Sequence, residues 1–188
     1  MKRTLLRLAA LAVALCLALS LTACGGSEDE EEEPGLPQAV LGGEDVPYPE
    51  GFDTTAKYNA AMNGNTLCIA FNGIMTRTTD YFQTSGSSIT LTAAATTEST
   101  GLRTFKAALW QKVEGGSIYV EGATLEFGAD GELYTGTFEG LDPDKEYKVT
   151  ISYDSGYYTI TGGMSIEGIA TAEELAARAE AAAADTAA

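Results

Sequence analysis

The 188-residue chain reads as an all-β protein: an antiparallel two-sheet sandwich, preceded by a leader and an acidic linker and followed by a short helix. Three observations predict this. Between about residues 66 and 168, short runs of β-branched and aromatic residues recur, each closed by Gly, Asp or Ser. Within the clearest runs, apolar and polar residues alternate with a period of two. No segment of that region carries an apolar period near 3.6.

The first 23 residues belong to none of this. A basic start, MKRTLLR, leads into an almost uninterrupted Leu, Ala and Val run from Leu8 to Leu19, then Ser20-Leu21-Thr22-Ala23-Cys24. The run has no polar face, falls short of the roughly 20 residues of a permanent span, and is followed by acid. It is an export leader. Leu21-Thr22-Ala23-Cys24 resembles the lipobox of bacterial lipoproteins. The resemblance implies a diacylglycerol on the Cys24 thiol, cleavage before it, and Cys24 as first residue of a mature chain anchored on the outer side of the cell membrane. Two acyl chains matter because one alone binds a bilayer only reversibly.

Residues 24–55 form the expected linker. They hold an unbroken acidic run from Glu28 to Glu33 and four of the five prolines, too little apolar surface to offset chain entropy, so the segment is read as a disordered spacer. Loss of the leader removes Lys2, Arg3 and Arg7, leaving 8 of the 11 basic residues against 27 acids, a formal charge of −19. A chain this acidic, with no basic patch, does not suit nucleic acid. With no His, it also lacks the usual general base and the commonest transition-metal ligand. Cys68 has no partner once Cys16 has left and Cys24 is acylated, and its apolar surroundings, Thr66-Leu67-Cys68-Ile69-Ala70-Phe71, predict a buried free thiol.

The sandwich is assigned to 56–170, with a short helix over Asp53 to Met62 ahead of strands at 66–72, 88–96, 104–113, 117–121 or beyond, 132–139, 146–153 and 157–163. Glu114-Gly115-Gly116, Gly128-Ala129-Asp130-Gly131 and Asp154-Ser155-Gly156 supply the reversals. Alternation sets the faces: Tyr147, Val149, Ile151 and Tyr153 point inward and Lys148, Thr150 and Ser152 outward, with Tyr134 and Phe138 inward on the preceding strand.

The stretch Leu141-Asp142-Pro143-Asp144-Lys145-Glu146-Tyr147-Lys148-Val149 resembles the fibronectin type III pattern Leu-x-Pro-x-x-x-Tyr-x-Val, carried by Leu141, Pro143, Tyr147 and Val149. That resemblance implies a fibronectin type III or immunoglobulin-like sandwich with a tyrosine corner, in which the Tyr147 hydroxyl bonds to upstream backbone. Strand 88–96 lacks the Trp that the fibronectin family often carries there, and an unrelated antiparallel sandwich or barrel stays open. The tail, 171–188, opens on Thr171 with Glu174 three residues on, a capping box before strong helix formers. With Leu175 its one large apolar residue, the helix has little to bury and is read as poorly docked.

The acids Asp130 and Glu132, and Asp142, Asp144 and Glu146, occupy turns and read as solvated rather than catalytic. No phosphate loop, metal-ligand cluster or nucleophile beside a base is evident, so binding rather than enzymatic activity is expected, with no cofactor and no metal. The functional clue is aromatic. In strand 104–113, Phe105, Ala107, Leu109 and Val113 form the inward set, which turns Trp110 outward; fibronectin-like order would let Tyr119 and Tyr157 share that face. The opposite facing, with Trp110 in the core, requires Lys106 and Lys112 to lie at strand ends. Aromatic planes on a sheet offer large contact area at low entropy cost, suited to a glycan or a protein ligand. The alternative is a structural or accessory subunit of an envelope complex, joined through a sheet face or edge strand.

Overall fold

The computed structural model describes residues 36–186. The expectations for the leader, Cys24 and the Glu28–Glu33 run lie outside these. In chain order the elements are β1 (Val40–Leu41), β2 (Tyr58–Asn63), β3 (Thr66–Ile74), β4 (Thr76–Thr78), β5 (Ser88–Thr97), β6 (Thr104–Val113), β7 (Gly116–Gly128), β8 (Tyr134–Glu139), β9 (Tyr147–Ser152), β10 (Ile160–Glu167) and α1 (Ala172–Thr186).

The strands form two sheets, β1-β8-β5-β10-β3-β2 and β4-β9-β6-β7, antiparallel throughout. Period-two alternation builds the layer between them. Ile89, Leu91, Ala93 and Ala95 come from β5, Phe105, Ala107 and Leu109 from β6, and Tyr147, Val149 and Ile151 from β9, all buried. Phe71, Phe105 and Phe127 bridge the sheets, with ring centroids 6.3 Å apart for the first pair and 5.4 Å for the second. Each contributes about 1.5–3 kcal/mol through burial alone. The predicted all-β sandwich with its short C-terminal helix is the fold observed.

Its connectivity differs from fibronectin-like order at the last strand. That order would place 157–163 beyond β9; instead β10 lies between β5 and β3 in the other sheet. The facing sets β8-β5-β10-β3 and β4-β9-β6-β7 have the strand order of a jelly roll. The β5 backbone and the Tyr48 side chain close on β10 because it carries Gly162 and Gly163. A Cβ at Gly162 would overlap the Ala94 carbonyl, and one at Gly163 the Tyr48 hydroxyl.

Two further differences, a missing helix and the extra strand β4, have local causes, while β7 runs beyond residue 121 as the sequence allows. The helix expected over Asp53 to Met62 is absent. Asp53 instead closes a turn by accepting from Thr55 N and Oγ1 at 2.8 and 2.7 Å, and Tyr58 onward pairs with β3. β4 has only the exposed Thr76, Arg77 and Thr78, too short and polar to show a pattern. β7 continues to Gly128 through an irregularity, its pairing with β6 passing from Ala108↔Thr124 to Trp110↔Tyr119.

Folded contacts begin before residue 56. β1 pairs with β8, and Ala39 is buried. The chain then crosses the outer face of the six-stranded sheet. Pro47 O accepts from Cys68 Sγ at 3.1 Å and Asn63 Nδ2 at 2.8 Å, Tyr48 Oη donates to Ile69 O at 3.3 Å, and Tyr48 stacks on Phe52 at 4.7 Å. Asn72 Nδ2 ties down the end of this strap through Thr54 O and Ala56 O. Cys68 is a buried free thiol, and burial pushes its pKa up.

α1 begins at the capping box: Glu174 N donates to Thr171 Oγ1 at 3.2 Å and Thr171 N to Glu174 Oε2 at 2.7 Å. The helix is docked, contrary to the expectation from its apolar content. Arg178 donates to Pro143 O, Thr84 O and Ser85 O at 2.9–3.0 Å, so hydrogen bonds replace the missing apolar face.

Candidate binding face

With the outer side of β3 and β10 covered by the strap, the outer face of the four-stranded sheet is left open. Burial of Phe105, Ala107 and Leu109 turns Lys106, Ala108 and Trp110 to that face, as Tyr147, Val149 and Ile151 turn Lys148 and Thr150. Trp110 lies between Tyr119 of β7 and Lys148 of β9 in the ladder. The Trp110 and Tyr119 rings meet edge to face, centroids 5.8 Å apart at 67°. Tyr119 is 40% exposed, and its hydroxyl shares a 3.0 Å hydrogen bond with Thr124 Oγ1. Trp110 is partly buried and its Nε1–H is covered without a partner, which costs about 1–3 kcal/mol.

A third aromatic residue joins them, one that the sequence reading missed. Beyond β4 the chain keeps to the β9 edge: Thr79 N donates to Val149 O, and Phe82 and Tyr147 exchange backbone bonds at 2.7–2.8 Å. This sets Tyr81 beneath two ammonium groups, Lys112 Nζ 5.2 Å and Lys148 Nζ 5.0 Å from its ring centroid. Tyr81 sits in the polar stretch Thr78-Thr79-Asp80-Tyr81-Phe82-Gln83, where no period points to a sheet. Lys112 also pairs with Glu146 at 2.6 Å, and Lys106 with Asp154 at 2.7 Å, the latter hydrogen bond holding the Lys106 pKa above its ordinary value. Thr78 Oγ1 and Thr150 Oγ1 lie 3.0 Å apart on the same face. The arrangement presents aromatic edges and planes, hydroxyls and ammonium groups.

Tyr157 does not join it. It lies in the β9–β10 loop, 94% exposed, beside Thr96 and Thr161 of the other sheet. At the corner, Leu141, Tyr147 and Val149 are buried, the Tyr147 hydroxyl accepts from Asp142 N at 3.0 Å, and Pro143 O is the acceptor for Arg178.

The turn acids are engaged in local structure. Asp130 accepts from Glu132 N and the Tyr134 hydroxyl, which hold its carboxyl below the ordinary range, while Asp142 accepts from Asp144 N. Among the described residues no group of three or more His, Cys, Asp or Glu is placed to hold a metal, and no helix is long and apolar enough to cross a membrane. An apolar cleft of about 460 Å³ opens between β2 and α1, lined by Met62, Leu67, Tyr81, Phe82 and Leu175 among others; it shares Tyr81 with the sheet face, and Trp110, Tyr119 and Tyr157 do not line it.

No family model matches the chain, and no curated protein matches it. Among solved structures it is similar to a CBM4 structure at 11% identity, covering 60% of this chain and 76% of that one, with a TM-score of 0.30. It is also similar to the N-terminal cellulose-binding domain of Cellulomonas fimi β-1,4-glucanase C, at 16% identity, 59% and 80% coverage and a TM-score of 0.30. A third likeness is to the enzymatically active domain of bacteriophage CBA120 tailspike protein 4, at 14% identity and a TM-score of 0.28, covering 72% of this chain and 18% of that one.

Proposed function

We propose that this is a lipid-anchored binding module, displayed outside the cell membrane on Cys24, that holds a glycan against the outer face of its four-stranded sheet. One observation carries the reading: Trp110 and Tyr119 stand edge to face on the sheet surface that the strap leaves open. Their rings offer apolar contact to the C–H face of a sugar, while Thr150 and Lys148 lie near enough in the ladder to meet its hydroxyls. The chemistry is recognition without bond breaking.

Glycan-array binding of the full chain against Trp110→Ala and Tyr119→Ala tests the site. Each substitution is expected to weaken binding about tenfold or more, in line with loss of a central aromatic anchor. Unchanged binding by both variants rejects the face. Palmitate labelling of wild type against Cys24→Ser tests the anchor, which requires the label to disappear in the variant.

A second reading, an accessory subunit in an envelope complex, draws on β2. It is an edge strand of the six-stranded sheet, and its Met62 is 43% exposed. Crosslinking in intact membranes through residue 62 would capture a partner under that reading.

A further inference from the structure

Tyr157 and Tyr158 follow one another in the β9–β10 loop, 94% and 46% exposed. The loop holds them in a set geometry: Ser155 Oγ accepts from Tyr157 N at 3.2 Å and Tyr158 N at 2.9 Å, and the Asp154–Lys106 ion pair fixes the stem. Beside them is a cavity of about 300 Å³ whose other lining residues are Thr96, Thr97, Glu98, Thr159 and Thr161. Several of these hydroxyls are already oriented. Thr96 Oγ1 donates to Thr161 O at 3.4 Å, Thr97 Oγ1 donates to Tyr153 Oη at 3.0 Å, and Thr161 Oγ1 accepts from Gly73 N at 3.0 Å. Each keeps acceptor capacity for a ligand.

We infer that this cavity is a second carbohydrate site, separate from the Trp110 face and selective for a neutral sugar. A pyranose ring combines an apolar C–H face with a rim of hydroxyls. Tyr157 and Tyr158 supply the aromatic surface for the first, and the threonine hydroxyls and the Glu98 carboxylate supply acceptors for the second. No Lys or Arg lines the cavity, so a uronate, sulfate or phosphate would find no counter-charge beside Glu98. Its volume, at the lower end of ligand sites, suits about one sugar unit, a chain terminus or a branch. The two sites share no residue and lie on different sheets, so the module would hold a polysaccharide at two independent points.

Affinity electrophoresis of the full chain in mild detergent tests this. The gels contain mixed-linkage β-glucan, xylan, galactomannan or, as the anionic case, polygalacturonate. The variants are Trp110→Ala, Tyr157→Ala/Tyr158→Ala and the triple substitution, with circular dichroism confirming that each is folded. On at least one neutral polysaccharide the double variant is expected to show an apparent Kd about threefold to tenfold weaker, Trp110→Ala to keep part of its retardation, and the triple variant to run as in a blank gel. If Trp110→Ala alone removes all retardation, the loop site is overturned and the sheet-face reading stands. If retardation ignores Trp110→Ala but is lost in the double variant, the loop site stands and the sheet face falls. Retardation that survives in the triple variant, or that occurs only with polygalacturonate, overturns the loop site, as does the absence of any retardation of the wild type.

Discussion

At the scale of single residues, close packing around β10 and burial under the strap set the sharpest constraints. Gly162 faces backbone, the Ala94 carbonyl and Ala95 Cα, whereas Gly163 faces the far end of the Tyr48 side chain. Backbone has no rotamer through which to yield. Gly162→Ala is therefore expected to destabilise the protein by about 2 kcal/mol or more, and Gly163→Ala by less, read from urea unfolding midpoints. Cys68 is protected twice, since it has no exposed surface and its thiol pKa is raised. In a Cys16→Ser/Cys24→Ser background a thiol reagent should leave the native protein unlabelled and modify one sulfur on unfolding. Rapid labelling of the native chain would contradict the burial. Neither glycine betrayed its role in the sequence, where Thr161-Gly162-Gly163-Met164 looks like the end of a strand rather than its middle.

At the scale of elements, α1 depends on polar contacts at its first turns. Backbone N–H donation from Thr171, with smaller help from Ser85 and Arg178, holds the Glu174 carboxyl below its ordinary value of 4.5. A carboxylate with a lowered folded pKa binds fewer protons than it does unfolded. Its stabilisation is thus complete above 4.5 and is lost as pH falls through the lowered folded value. Helical ellipticity should decline over that window in wild type and be insensitive to it in Glu174→Gln. Arg178→Ala should release α1 from Pro143, Thr84 and Ser85, seen as faster amide exchange along the helix with little change in the sheets. The capping box was legible because it is local, three residues apart. Docking was not, because the acceptors are carbonyls about 35 and 94 positions away in sequence. The corner behaves likewise: Leu141, Pro143, Tyr147 and Val149 form a local pattern, and Tyr147→Phe, by leaving the Asp142 N–H without its partner, should cost about 1 kcal/mol.

At the scale of the whole molecule, the strap decides which sheet face is open. A chain beginning at Ala56 would lack Pro47, Tyr48 and Phe52, uncovering the outer side of β3 and β10. It should melt at a lower temperature than one beginning at Leu36 and should expose Cys68 to thiol reagents in the native state. Equal stability and continued protection of Cys68 in the shorter chain would show that the strap is not part of the fold. The same arrangement explains why Trp110 and Tyr119 meet while Tyr157 stands apart. β6 and β7 are neighbours in one sheet, but β10 departs to the other and leaves Tyr157 in the connection.

The amino-acid sequence by itself determined the β class, the inward and outward faces of β9, the capped C-terminal helix and the buried thiol. Each follows from side-chain periodicity or from chemistry within a few residues. Only the tertiary structure decided which sheet receives β10, that residues 43–56 cover one outer face, that Tyr81 joins Trp110 and Tyr119, and that Arg178 docks the helix. Those outcomes depend on contacts between distant segments, chosen by which backbones can approach glycine and which carbonyls lack partners, and neither condition leaves a periodic trace along the chain.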